Sequence, residues 1–152
     1  NGWLRGLKSC GIKVPLSYEE ITELTFDGGK EAMQRLLEAE VPPSAVCCIS
    51  DVVAIGAMQA LREKGIRPGQ EVSIIGYDGL ELGAWLDPPL TTMHQPLKLA
   101  GEKLAKMLLN IVESGSLPLN NQELVRASLV RRETANAPLS TWPPIRKDSG
   151  KP

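Results

Sequence analysis

Two polar pairs stand at the ends of β-like runs: Ser50-Asp51 follows Val46-Cys47-Cys48-Ile49, and Tyr77-Asp78 follows Val72-Ser73-Ile74-Ile75-Gly76. In open parallel sheets ligands bind beyond the carboxyl ends of the strands, so two acidic strand ends in succession predict the rim of a pocket. The same stretch closes with Asp87-Pro88-Pro89-Leu90-Thr91-Thr92-Met93-His94-Gln95-Pro96, a stiff extended connector whose Gln95 amide can both donate and accept. His94 is the single histidine, and no Cys, His or carboxylate pattern surrounds it at ligand spacing, so the sequence gives no warrant for a metal or a general base. Phosphate-binding glycine loops, paired catalytic carboxylates and nucleophile elbows are absent from it as well, which argues against an enzyme and against a cofactor.

The elements that must hold these residues follow from composition and periodicity. A chain of 152 residues makes one ordinary core and one domain the expectation. A net charge of −1 with interspersed signs gives no electrostatic footprint for DNA or an acidic membrane. No apolar run is long enough to span a membrane, and no signal peptide is visible. The three cysteines, Cys10, Cys47 and Cys48, read as buried free thiols in a reducing compartment. The first residues enter an amphipathic pattern without an initiator Met, which predicts a chain cut from a longer protein.

A helix is expected over about 1–10, closed by Gly11. Alternation from Ile21 to Phe26 predicts a strand and Asp27-Gly28-Gly29 a turn, with an amphipathic helix over 30–40. The run at 45–49 is apolar on both faces, as a central parallel strand would be. Asp51 is expected to cap a helix over 52–64, whose apolar residues exceed one stripe and so call for a second partner. A strand at 72–76, a loop at 79–87, a helix from 97 to about 114 and a last strand at 124–130 complete an α/β pattern with a mostly parallel sheet. Beyond Thr134 the composition predicts a loose tail.

Three linked motifs in register, Ile49-Ser50-Asp51-Val52-Val53-Ala54-Ile55-Gly56-Ala57, Val72-Ser73-Ile74-Ile75-Gly76-Tyr77-Asp78 and Pro88-Pro89-Leu90-Thr91-Thr92-Met93-His94-Gln95-Pro96, are followed by Leu129-Val130-Arg131-Arg132-Glu133-Thr134. With these the chain resembles the lactose/galactose repressor family of bacterial transcription regulators, over nearly everything from Gly2 to Thr134. The resemblance implies a periplasmic-binding-protein-like α/β fold, a parallel sheet flanked by helices, that takes a small effector in a cleft between two lobes. It implies residues 1–87 as part of the C-terminal lobe, 88–115 as a connector and helix crossing to the N-terminal lobe, 116–134 as a return strand and 135–152 as a flexible tail.

It further implies partners: a sugar-like effector, a second copy in a homodimer, and operator DNA reached through a helix-turn-helix headpiece outside this chain, all in the cytoplasm and without a membrane. The effector-binding role falls on Asp78, whose carboxylate can accept from vicinal hydroxyls; a turn-forming Asp before Gly79 is the plainer reading. Ser50 stands where relatives often carry Asn, and Gln95 on the hinge either reaches the effector or satisfies backbone. The stacking aromatic of many members falls at Leu24, with Phe26 two residues on; both could instead be core. An effector-contacting Arg of the family falls just before residue 1, and Arg5 does not match it. Ala54, Ile55, Met58, Trp85 and Leu86 match dimer-interface positions, against a reading as intrachain core. The rivals are a solute-binding protein for sugar uptake, which shares the fold, and a nucleotide-dependent α/β enzyme, which has only the fold in its favour.

Overall fold

The computed structural model describes residues 2–13, 18–118 and 121–136. Helix α1, Gly2–Ser9, ends as its glycine predicts: Gly11 takes a left-handed φ of 72°, and Ile12 N–H returns to the Leu7 carbonyl at 2.9 Å. The alternating residues after it do not form a strand. Thr25 lies in extended backbone, and its hydroxyl accepts from Gly28 N–H at 3.0 Å, so α2 runs Phe26–Leu37 and absorbs the Asp27-Gly28-Gly29 expected as a turn.

Two glycines in a first helical turn oppose helix formation by about 1 kcal/mol each, and packing explains their place. A Cβ on Gly29 would run into the backbone of Val53, and one on Gly56 into the carbonyl of Phe26. α2 and α3, Asp51–Glu63, therefore meet backbone to backbone. Lys30 bonds Glu63 across the pair at 2.8 Å and holds that carboxyl below the usual carboxylate range.

The strands are β1 Ala45–Cys47, β2 Ser73–Asp78, β3 Thr91–His94 and β4 Ser128–Val130, in the order β1-β2-β3-β4. The first three are parallel and β4 is antiparallel to β3, so the sheet is mixed. β1 is an edge strand, with Ala45 and Cys47 exposed, rather than the central strand its apolar run predicts. The connector at 88–96 supplies β3 to the interior of this sheet, and a 3₁₀ turn at Glu81–Ala84 interrupts the loop before it.

One core joins Met33 and Leu36 of α2, Ala54, Ala57, Met58 and Leu61 of α3, Val72 and Ile74 around β2, and Leu90. Ala54 and Met58 have no exposed surface, which removes them from any dimer interface. The apolar excess on α3 has an intrachain cause, because the helix packs against α2 on one side and β2 on the other. Ile55 and Leu86 are partly buried against the same core, and Trp85 is 85% exposed.

At the amino ends of the strands Thr134 acts as a polar clamp. Its hydroxyl donates to the Ile74 carbonyl and accepts from Thr91 N–H, both at 2.8 Å, while its own carbonyl accepts from Ile74 N–H at 2.7 Å. Asn136 continues the clamp to Gly69 O at 3.0 Å and to Ser73, so the chain is still tied down past Thr134; the rest of the expected tail, 137–152, lies outside the described residues.

α4, Leu97–Ser114, has no buried residue. Leu97, Leu104, Leu108 and Val112 all face outward, and Lys103 pairs with Glu123. No helix among the described residues is long and apolar enough to cross a membrane.

All three thiols are free, and Cys10 and Cys47 are exposed rather than buried. Desolvation, with Cys47 and Asp51 adding, pushes the Cys48 thiol up to about 12. Iodoacetamide at neutral to mildly alkaline pH should therefore alkylate Cys10 and spare Cys48, as read by peptide mass mapping, because the thiolate is the nucleophile; labelling of Cys48 at the Cys10 rate would contradict this. Gly56→Ala should destabilise the fold by about 1–3 kcal/mol, since a backbone must move to admit the methyl. A urea midpoint unchanged from wild type would refute the close helix contact.

Candidate functional site

Parallel pairing of β2 with β3 sets Asp78 opposite His94, and so brings Asp78 together with the next residue, Gln95, a second predicted site residue. The Gln95 side-chain amide donates to Asp78 Oδ1 at 2.8 Å, and Gln95 N–H donates to the Asp78 carbonyl at 3.2 Å. These bonds use Asp78 Oδ1 and the Asp78 carbonyl and leave Oδ2 out. Asp78 is also the one non-glycine among the described residues with a left-handed φ, 116°. Backbone in this region is strained and persists only where its surroundings over-determine it.

The pair sits on a cleft of about 690 Å³ lined by Asp78, Gly79, Leu80, His94, Gln95 and the first turns of α4. Glu81 and Glu102 add carboxylates and Lys98 one ammonium, so the charge around the cleft is acidic. α4 follows Pro96, which supplies no side-chain cap; Leu97 N–H donates to the Gln95 carbonyl at 2.8 Å, and the first-turn amides of Lys98 and Leu99 come next at the cleft. A wall of acceptors next to a set of donors suits a neutral ligand whose hydroxyls do both.

Asp51 binds the loop that follows Asp78. Sequence reasoning made Asp51 the cap of α3; the structure gives that role to Ser50, whose hydroxyl accepts from Val53 N–H at 3.2 Å. Asp51 occupies the first turn, fully buried, and its carboxylate points to the strand ends. It accepts from Thr92 Oγ1 at 2.6 Å, Leu80 N–H at 2.7 Å and Gly79 N–H at 3.0 Å. Among the described residues no cation faces this buried carboxylate, and three donors stabilise it, with the amino end of α3 favouring negative charge as well. Both capping types stand side by side at 50 and 51, so the sequence could not tell which one turns inward. Gly76 next to Asp51 was the available signal, because a Cβ there would collide with Asp51 Oδ1.

The other predicted residues do not gather at this cleft. Ser50 is half-buried and engaged as the cap, and it is not among the lining residues. Leu24 and Phe26 are 65% and 40% exposed at the start of α2, so neither is core and neither lines the cleft. His94, Leu97 and Lys98 do line it and were not singled out for this role; their adjacency to Gln95 across the turn into α4 was the sign that could have found them.

Known proteins share this fold. Residues 1–135 match the model of the periplasmic binding protein-like domain. The HTH-type transcriptional repressor CytR of Escherichia coli K12 is 37% identical over 132 residues, which is 84% of this chain and 39% of that protein. The dimeric Lac repressor superposes with a TM-score of 0.80 at 34% identity, covering 91% of this chain and 49% of the repressor chain. A LacI family transcriptional regulator from Arthrobacter sp. FB24, in complex with lactose, gives 0.77 at 25% identity over 88% of this chain and 48% of its own. The chain thus spans half or less of the length of each of these relatives.

Proposed function

Since the chain belongs to the periplasmic binding protein-like family, in the form carried by regulators of the lactose repressor type, we propose that it is the effector-binding and dimerisation portion of a DNA-binding transcription regulator. Its effector is a sugar or sugar derivative, and operator DNA is met by a part of the protein outside this chain, in the cytoplasm. The observation that carries this reading is the Asp78–Gln95 pair at the cleft, a carboxylate and an amide oriented together at the carboxyl ends of two parallel strands. The acidic lining favours a neutral polyol over a sugar acid or phosphate. One relative holds lactose, which is consistent with that class.

α4 is the crossover into a second lobe: it has no fully buried residue here, and it starts directly at the cleft. Residues 88–96 are then the hinge, and effector binding shifts the balance between open and closed lobes. Dimerisation uses Trp85 and its neighbour Leu82, which is 56% exposed, with Leu86 and Ile55 half-covered behind them. Exposed apolar groups of this kind mark a contact surface, and a two-fold operator requires a dimer. The relatives are repressors and a regulator rather than uptake proteins, which favours this reading over a solute-binding protein.

A thermal-shift panel of pentoses, hexoses, disaccharides and nucleosides against the full-length protein tests the proposal. At least one neutral sugar should raise the melting temperature, and Asp78→Ala should weaken that sugar by about 10- to 100-fold, the loss of a charge-assisted hydrogen bond of about 1.5–3 kcal/mol. Unaltered affinity in Asp78→Ala would remove the site assignment. Trp85→Ala should raise the dimer dissociation constant in sedimentation, about tenfold for one interface aromatic; an unchanged constant would move the interface elsewhere.

A further inference from the structure

We propose that Asp51 is the positioning residue of the effector site: it never meets ligand, and it fixes the Asp78 carboxylate by holding the two amides that follow it. Asp78 has a φ of 116° and Gly79 one of 81°, two left-handed residues in a row at the end of β2. Gly79 has no alternative residue, since a Cβ would strike the His94 ring and backbone. A chain in this conformation turns successive N–H groups to one side, and those of Gly79 and Leu80 both reach Asp51 Oδ2, at 3.0 and 2.7 Å. On the opposite side the Asp78 carbonyl is held by Gln95 N–H at 3.2 Å. Residue 78 is thereby clamped between a buried carboxylate below and the hinge beside it, and its side chain has one direction left.

The two oxygens of Asp51 have different duties. Oδ1 takes the Thr92 hydroxyl and anchors the carboxylate to β3; Oδ2 takes the loop amides. Thr92→Val removes the anchor and leaves the loop bonds. Asp51→Asn puts a neutral, weaker acceptor under the loop and lets the strained Asp78 relax toward ordinary β backbone. A purely structural Asp51 would make these two variants alike, whereas a positioning Asp51 separates them.

The inference rests on the effector reading of Asp78 for its consequence only, so its first test uses no ligand. Hydrogen–deuterium exchange of the full-length wild-type protein should show Gly79 and Leu80 amides protected like those of β2; exchange at the rate of an open loop overturns the proposal even if no variant folds. Asp51→Asn should speed exchange at Gly79 and Leu80 by about tenfold or more relative to α3, and Thr92→Val should not, in keeping with the weakening of a charge-assisted bond. The same local pattern in both variants overturns it. For whichever panel sugar stabilises the wild type, Asp51→Asn should lower affinity by about tenfold or more and Thr92→Val by less than about twofold; equal affinity in all three proteins also overturns it. A panel with no binder would count against the effector reading and leave the exchange result to decide this one.

Discussion

The buried carboxylate of Asp51 is the constraint on which the functional end of the molecule depends. Among the described residues it has no counter-cation and is served instead by three donors, one from β3 and two from the tight loop after β2. Thr92 fixes β3 relative to α3, the Gly79 and Leu80 amides fix the loop after β2, and Gly76 has no room for a side chain because the carboxylate stands over it. Asp78 and Gln95, the proposed site residues, lie directly beside this arrangement.

The opposite end of the sheet is held by a neutral counterpart. Thr134 bridges β2 and β3 through its hydroxyl and its carbonyl, and it is fully buried as well. With both ends pinned by polar groups, the middle is left to the apolar core and to the glycine contacts of α2 and α3. The consequence for function is an uneven distribution of support. Asp78 is bonded from the hinge side and lies next to a buried carboxylate, while α4 leaves the cleft with Leu97, Leu104, Leu108 and Val112 exposed and no residue fully buried. The proposed hinge lies between these two regions, at the two residues of turn between β3 and α4.

Much of this was legible in the residues, and the misses have physical causes. The amphipathic helices and the two apolar runs that became β1 and β2 were readable because periodicity reports burial directly. The false strand at Ile21–Phe26 shows alternation overruled by a local cap, with Thr25 starting a helix whose glycines looked like a turn until α3 was seen lying on them. Ala54 and Met58 resembled interface positions, yet apolar residues on a helix also fill the core of their own chain, and both are fully buried here. The edge position of β1 could not be read, since strand order is set by contacts far apart in sequence. For the same reason Asp78 and Gln95 could each be proposed, but their contact could not: it follows from the register of two parallel strands, which periodicity does not report.

The account stands on Asp78 and Gln95 forming one wall of an effector cleft, and a crystal structure of the full-length protein grown with its best-binding neutral sugar tests it most directly. The account predicts sugar hydroxyls within hydrogen-bond distance of Asp78 Oδ2 and the Gln95 amide, with Asp51 still bonded to Gly79 and Leu80. A sugar bound elsewhere, with the Asp78–Gln95 pair closed on itself as it is here, would contradict it.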